Sequence, residues 1–221
     1  MRSGSRVISM AAMQRQDFEE VISSPTAAFD EGLRFFAGRG MVNNALTQIV
    51  QRLNRLGIDY AVIGAVALNQ HGYRRFTEDI DLLLTKEGLE RFHNELVGLG
   101  YRPAFEGSRR QFRSTVENVR VEIVTAGEYP GDGQPKPVRF PDPSDASLEI
   151  EGIKTVTLEK LIELKLASGL SAPHRLKDLA DVQEMIKVRS LSSDFAAKLD
   201  PYVREKYIEL QRAVSQSPNH E

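Results

Sequence analysis

The sequence predicts an α/β domain, and three observations carry that expectation. Between Met41 and Gly100 the hydrophobic spacing runs helix, strand, helix, strand, helix. From Gln111 to Val124 two alternating arms flank Glu117-Asn118, the pattern of a β-hairpin. Beyond Thr157 the helical spacing returns and continues to Val214.

Taken in order, residues 1–40 read as an N-terminal extension. Arg2 and Arg6 precede the apolar run Val7 to Met13 in the manner of a signal peptide, but Gln14-Arg15-Gln16-Asp17 follows without a cleavage region, so a poorly ordered or helical extension is expected. Phe18, Val21 and Ile22 make a short helical stripe, Pro25 interrupts it, and Phe35-Phe36 supply packing. Residues 41–150 form the core. Leu46, Ile49, Val50, Leu53 and Leu56 line one helix face, and Gly57 stands where a helix stops. Tyr60 to Ile63 reads as a short buried strand, Gly64-Ala65 as a turn, and Ala65 to His71 as a helical segment. Thr77 to Leu84 is the next strand. Thr85 caps a helix whose inner face is Leu89, Phe92, Leu96 and Leu99, ended by Gly100.

The hairpin pairs Gln111 to Val116 with Val119 to Val124, and the Pro- and Gly-rich Tyr129 to Pro143 has no regular structure in prospect. That loop reads equally as a substrate flap, with Lys136 and Arg139 supplying charge, and as a rigid connector. Residues 151–214 form a C-terminal hairpin and helical region: Leu148 to Val156 turns around Gly152, and Thr157 caps a helix with Leu158, Leu161, Ile162 and Lys165 on its inward stripe. Asp200-Pro201 separates Ser193 to Leu199 from Tyr202 to Val214, whose inner stripe is Val203, Tyr207, Leu210 and Ala213. Residues 215–221 are a polar tail.

Composition narrows the chemistry. Forty-one per cent hydrophobic and 27% charged residues are ordinary for a soluble globular protein. No apolar run reaches the roughly 18 residues of a membrane span, so no membrane partner is expected. With no cysteine, disulfides, thiolate metal sites and cysteine catalysis are excluded together, which accords with a cytoplasmic protein. His71 and His174 lack the partners of a zinc site. The formal net charge of −2 gives no global attraction to nucleic acid, so any such contact needs a local basic patch.

The strand from Thr77 to Leu84 places Asp79, Asp81 and Leu83 on one face and Ile80, Leu82 and Leu84 on the other. Two carboxylates side by side on an apolar strand repel and lose solvation, and a hard cation such as Mg2+ relieves both costs with oxygen ligands. A strand end whose aspartates meet water or Arg74 and Arg75 explains the same residues without a metal. The Gly64-Ala65 turn favours the metal, because unpaired N–H groups at a helix start suit phosphate and a nucleoside triphosphate supplies it.

Ile63-Gly64-Ala65 followed by Asp79-Ile80-Asp81-Leu82 resembles the signature of the nucleotidyltransferase fold of the polymerase-beta superfamily. His71-Gly72-Tyr73-Arg74-Arg75-Phe76-Thr77-Glu78-Asp79-Ile80-Asp81 is similar to a pattern in minimal bacterial nucleotidyltransferases, a group that includes abortive-infection toxins of type IV toxin-antitoxin systems. Ala65 stands where that group usually has Gly or Ser. The resemblance spans about Asn43 to Val188. It implies an α+β or α/β fold with a small mixed β-sheet flanked by helices, and a third acid on a later strand, matched by Glu122 in Val121-Glu122-Ile123. Read by itself, Glu122 is a solvated strand glutamate.

The resemblance further implies that Asp79, Asp81 and Glu122 are catalytic and hold Mg2+ or Mn2+, and that Gly64, Ala65 and Lys165 bind the nucleotide phosphates. Arg75, Thr77, Arg175, Lys177, Asp178 and Asp181 would support them. Lys165 alone could equally run its stem along the core to water. Spacing alone pairs Arg175 with Asp178 and Lys177 with Asp181 along one helix. The implied activity moves an NMP from an NTP to a hydroxyl of RNA, protein or a small molecule with release of pyrophosphate, toxin-like and with an antitoxin partner. Two other readings stay open: a non-catalytic nucleotide-binding or interaction protein that kept the fold, and a sugar-nucleotide glycosyltransferase using Asp79-Ile80-Asp81.

Overall fold

A computed structural model describes residues 17–216; the predicted signal-like stretch and most of the polar tail lie outside the described residues. Three helices come first among the described residues, α1 (Phe18–Ser23), α2 (Pro25–Phe36) and α3 (Met41–Leu56). Strand β1 (Tyr60–Val62), α4 (Gly64–Gln70), β2 (Asp79–Leu84) and α5 (Lys86–Leu96) follow. Then come β3 (Tyr101–Pro103), β4 (Gln111–Ser114), β5 (Arg120–Thr125), β6 (Ser147–Ile150) and β7 (Ile153–Val156). The described residues end with α6 (Leu158–Ser171), α7 (Leu176–Val188) and α8 (Pro201–Gln216), with 3-10 segments at Pro173–Arg175 before α7 and Ser193–Lys198 before α8.

All seven strands form one mixed sheet in the order β3-β4-β5-β2-β1-β7-β6. β2 pairs with β5 in parallel and β1 with β7 in parallel, while the remaining neighbours are antiparallel. The hairpin β6–β7 extends the sheet across residue 150, so residues on both sides of that position share it.

One face of the sheet carries the larger core. Ile80, Leu82 and Leu84 of β2 and Val121 and Ile123 of β5 pack there with Ile49 and Leu53 of α3 and Phe92 of α5. Phe18 of α1 is buried in the same core. Leu83, which points the other way, packs with Leu161 and Met185 beneath α6 and α7. The period of two expected for β2 is therefore realised, with apolar residues on both faces and the two aspartates at one end.

Local signals explain the helix ends. Thr85 Oγ1 accepts from the Gly88 N–H and Thr157 Oγ1 from the Lys160 N–H, satisfying donors that a first turn leaves open. Gly57 ends α3 in the left-handed region at φ 62°, and the carboxylate of buried Glu31 accepts from the Met41 N–H at that helix's other end.

Three expectations need correction. Helix α5 stops at Leu96, and Leu99 lies 68% exposed in the turn before β3 instead of on the inner face. Asp200-Pro201 divides the two helical pieces as expected, but α8 starts at Pro201 instead of Tyr202, since an N–H at the first helical position would have no partner within the helix. In α8 Val203, Tyr207 and Leu210 are buried, but Ala213 is exposed and Val214 packs inward in its place. Among the described residues no helix is long and apolar enough to cross a membrane.

Candidate active site

The carboxylates meet because β2 and β5 are parallel neighbours. Their register sets Asp81 opposite Glu122 and Asp79 opposite Arg120, and strands so paired run about 4.8 Å apart. Asp79, Asp81 and Glu122 thus share the sheet face away from the larger core. Thr77, in the turn before β2, donates from Oγ1 to Asp79 Oδ1 at 2.6 Å and holds that carboxylate in place.

Asp81 is seated against Gly64. A Cβ on Gly64 would lie 2.7 Å from Asp81 Cγ and closer still to Oδ2, and Gly64 adopts φ 62°. Only glycine meets both demands without strain. Burial, then the negative charges of Asp79 and Glu122, push the Asp81 carboxyl up to about 7, against the pull of Lys165 and Arg175. Asp81 retains some exposed surface, yet its carboxyl faces inward against α4.

A second cluster stands across from the first. Lys165 Nζ bonds Asp178 Oδ1 at 2.9 Å and Asp181 Oδ2 at 2.7 Å, with its own side chain 9% exposed. Arg75 Nη1 donates to Asp181 at 2.6 Å, Arg175 Nε to Asp178 at 2.8 Å and Ser168 Oγ to Asp178 at 2.7 Å. Burial alone would raise the Asp178 carboxyl, but Lys165, Arg175 and Ser168 outweigh it and hold it at about 2. Three cations surround two anions, so the cluster carries a surplus positive charge. Arg75, just before β2, thereby ties the sheet to α7.

The Arg175–Asp178 pair forms as expected, but Lys177–Asp181 does not. Asp181 is buried and turned to Lys165 and Arg75, while Lys177 is exposed at the rim of the cleft. A charge-assisted contact inside outweighs a solvent-screened helix pair.

Both clusters line one cleft of about 660 Å³. Gly64, Ala65, Arg75, Thr77, Asp79, Asp81, Glu122, Lys165, Arg175, Lys177 and Asp178 all border it, whereas Asp181 sits behind Lys165. The volume is that of an ordinary small-molecule site. Asp79, Asp81 and Glu122 reach it from β2 and β5, and Lys165 and Arg175 from α6 and the segment before α7.

No family model matches the sequence, and no curated protein matches it significantly. Among solved structures, the solution structure of the antibiotic-resistance factor ANT(2'')-Ia is similar at TM-score 0.50 and 16% identity, covering 80% of this chain and 100% of that one. The fold is that of the nucleotidyltransferases. ANT(2'')-Ia in complex with adenylyl-2''-tobramycin is similar at TM-score 0.48 and 16% identity, over 78% of this chain and 95% of that one. An antigenic nucleotidyltransferase-like protein from Paracoccidioides brasiliensis is similar at TM-score 0.46 and 18% identity, over 78% and 91%.

Within this nucleotidyltransferase fold, two contributors escape sequence reasoning. Asn69 of α4 donates to the Ala65 and Arg75 carbonyls at 2.8 and 2.6 Å and accepts from the Arg75 N–H at 3.0 Å, fixing the segment that carries Arg75. Ser168 completes the Asp178 cluster one helical turn beyond Lys165. A lone Asn after an apolar turn gives no signal; Ser168 at i+3 from Lys165 offers a faint one.

The loop from Tyr129 to Pro143 walls the cleft through Tyr129, Pro130 and Gly131. It is tied down. Lys136 Nζ donates to the Pro130 carbonyl at 2.7 Å and to Asp132 at 2.5 Å, and Gly127 and Phe140 bond through their backbones. Lys136 is spent inside its own loop.

Proposed function

We propose that this protein is a nucleotidyltransferase that moves an NMP from an NTP to a hydroxyl acceptor with release of pyrophosphate. One observation carries the reading: an acidic cluster, Asp79, Asp81 and Glu122, faces a cationic cluster around Lys165 across a single cleft large enough for a nucleotide. The similarity to ANT(2'')-Ia agrees with the fold this requires.

The donor set fits a hard divalent cation, Mg2+ or Mn2+. Asp79, Asp81 and Glu122 offer oxygen ligands only, and the inward carboxyl of Asp81 resists ionising beside two other acids, a cost that a cation offsets. Among the described residues no three His, Cys, Asp or Glu side chains are gathered closely enough to hold a metal ion by themselves, so in this reading the cation takes ligands from the bound triphosphate as well. When bound, the cation would neutralise developing phosphate charge and lower the pKa of the attacking hydroxyl.

The chain's own groups do the rest. Thr77 orients Asp79, and Gly64 leaves room for the Asp81 carboxylate. Lys165, with Arg175 and Lys177 at the rim, draws the triphosphate to the cationic wall. Lys165 is held by Asp178 and Asp181, so it needs little rearrangement to meet phosphate. Glu122 is the register partner of Asp81 on the neighbouring strand, and in this reading it takes the acceptor's proton.

The test is thermal stabilisation by each of the four NTPs, with and without Mg2+, in wild type and Asp79→Asn/Asp81→Asn. A ligand bound to the folded state raises stability by RT ln(1 + [L]/Kd). A Mg2+-dependent shift lost in the variant supports the reading and names the base. No shift with any NTP, where a control nucleotidyltransferase responds, transfers the case to a non-catalytic protein of this fold. A toxin-like role in the cytoplasm, neutralised by an antitoxin, rests on motif resemblance. It requires induced wild-type protein, but not the double variant, to arrest growth.

A further inference from the structure

The sheet face that bears the acids continues sideways into a row of arginines. Arg120 of β5 is opposite Asp79 on one side and Arg113 of β4 on the other, and Arg113 is opposite Arg102 of β3. The row runs Arg102, Arg113, Arg120, Asp79 across four strands, about 14 Å at sheet spacing. Like charges directly opposite one another destabilise a sheet, so an uncompensated row needs another reason to exist.

Compensation within the protein is partial. Arg113 pairs with Glu19 of α1 and donates to the Asn118 carbonyl. Arg110, just before β4, pairs with Glu128 at the cleft. Arg102 has one bond, to Asn118 Oδ1 at 2.7 Å. The arginine ion pairs among the described residues are made by Arg75, Arg91, Arg110, Arg113 and Arg175; Arg102, Arg109 and Arg120 make none and are exposed. Residues 101–125 hold five arginines against Glu106, Glu117 and Glu122, and Glu117 is buried, so this edge is basic in a chain whose formal net charge is −2. Phe105 stands 61% exposed in the β3–β4 connection, the segment that joins the strands of Arg102 and Arg113.

We propose that this edge is the docking track for the acceptor, and that the acceptor is a single-stranded RNA end. The inference rests on the nucleotidyl-transfer reading and extends it to the substrate class. Guanidinium groups spaced along a strand suit successive backbone phosphates, and an exposed aromatic ring gives a base a stacking partner. The row leads directly to Asp79 and, one pleat along, to Glu122 and Asp81, so a strand lying on it delivers its terminal ribose to the acids. That ribose presents two adjacent hydroxyls to one carboxylate cluster. A cationic acceptor is repelled by the row.

The test uses the whole chain and a labelled single-stranded RNA of about 12 nucleotides, within the usual range of single-strand sites. Binding is followed by fluorescence anisotropy over a salt series, beside the DNA of the same sequence. Each phosphate contact contributes about 0.7 to the slope of log K against log salt for a single strand. Arg102→Gln/Arg109→Gln should bind RNA more weakly by about tenfold or more and flatten the slope, because charged hydrogen bonds are lost. Arg120→Gln should do the same. The melting temperature and the NTP-induced shift should stay at wild-type values in the single variant Arg102→Gln, whose residue stands three strands from Asp79.

Wild-type binding that the arginine variants leave unchanged, equal binding of DNA, or transfer of labelled NMP to a protein while RNA is ignored would each overturn the proposal. Arginine-dependent RNA binding with no NTP shift in wild type would instead sink the transfer reading and leave the RNA surface standing.

Discussion

Replacing Gly64 by Ala isolates the contact on which the acidic cluster depends. Two costs add. At φ 62° a Cβ meets the backbone, a penalty of roughly 1–2 kcal/mol for a non-glycine residue. The new methyl would also lie 2.7 Å from Asp81 Cγ, against the about 3.5–4.0 Å of a relaxed carbon contact. Asp81 is fixed in β2 between β1 and β5, so relief must come from turning its side chain about 1 Å away, off its rotamer, at about 0.5–1.5 kcal/mol. The sum is about 1.5–3.5 kcal/mol, set mainly by the backbone and partly by the carboxylate.

A double-mutant cycle separates the two. With Asp81→Ala the nearest remaining atom is Cβ, at 3.0 Å from the new methyl, and only the backbone penalty persists in full. Urea unfolding of the four proteins should give a coupling of about 1 kcal/mol, beyond the ~0.3–0.5 kcal/mol expected of independent sites. Gly64→Ala should also lose the Mg2+-dependent NTP shift, because Asp81 is displaced. An equal penalty in both Asp81 backgrounds would show that Gly64 serves backbone geometry alone and would refute its role in seating Asp81.

Lys165→Met removes the cation that Asp178 and Asp181 share but leaves each paired with an arginine, and should cost about 1.5–3 kcal/mol in chemical unfolding, the loss of a charged hydrogen bond. Adding Asp178→Asn should recover part of that loss. Asp178 has a folded-state value of about 2, below its ordinary 3.8. Its contribution is present above the unfolded value and lost as pH falls through the folded one. Wild type should therefore lose about 2 kcal/mol more than Asp178→Asn between pH 4 and pH 2, measured by urea midpoints. Thr77→Val removes the bond to Asp79 and should leave the melting temperature within about 2–4 °C of wild type, as a loss near 1 kcal/mol implies. The Mg2+ needed for half-maximal NTP stabilisation should rise several-fold in that variant.

The parts of this molecule that were legible in its sequence are those decided within a few residues. Alternation of Asp79, Ile80, Asp81 and Leu82 reports the two faces of β2, and Thr85 and Thr157 report helix starts, because each depends on local geometry. Leu99 misled because a helical spacing can outlast the helix: Val97 leaves α5 with extended backbone and Gly98 and Gly100 take positive φ. Lys177 and Asp181 misled for the opposite reason. Their spacing permits a surface pair, but the orientation of α7 was set by what Asp181 meets inside, Arg75 from 106 residues earlier.

Strand order decides the rest. Nothing in the local pattern of Arg120 to Thr125 announces that β5 lies parallel to β2; that pairing follows from a sheet in which β1 and β4 occupy opposite sides. Yet it alone brings Glu122 to Asp81, and it also sets Arg120 beside Asp79. A register slip of one residue would turn Glu122 and Arg120 into the larger core and bring Val121 to the cleft, which the burial of Val121 and Ile123 forbids. The same apolar pair that holds β5 in register thus fixes both the acids and the arginine edge. Conservative enlargement of Val121 should accordingly disturb nucleotide binding and the basic edge together.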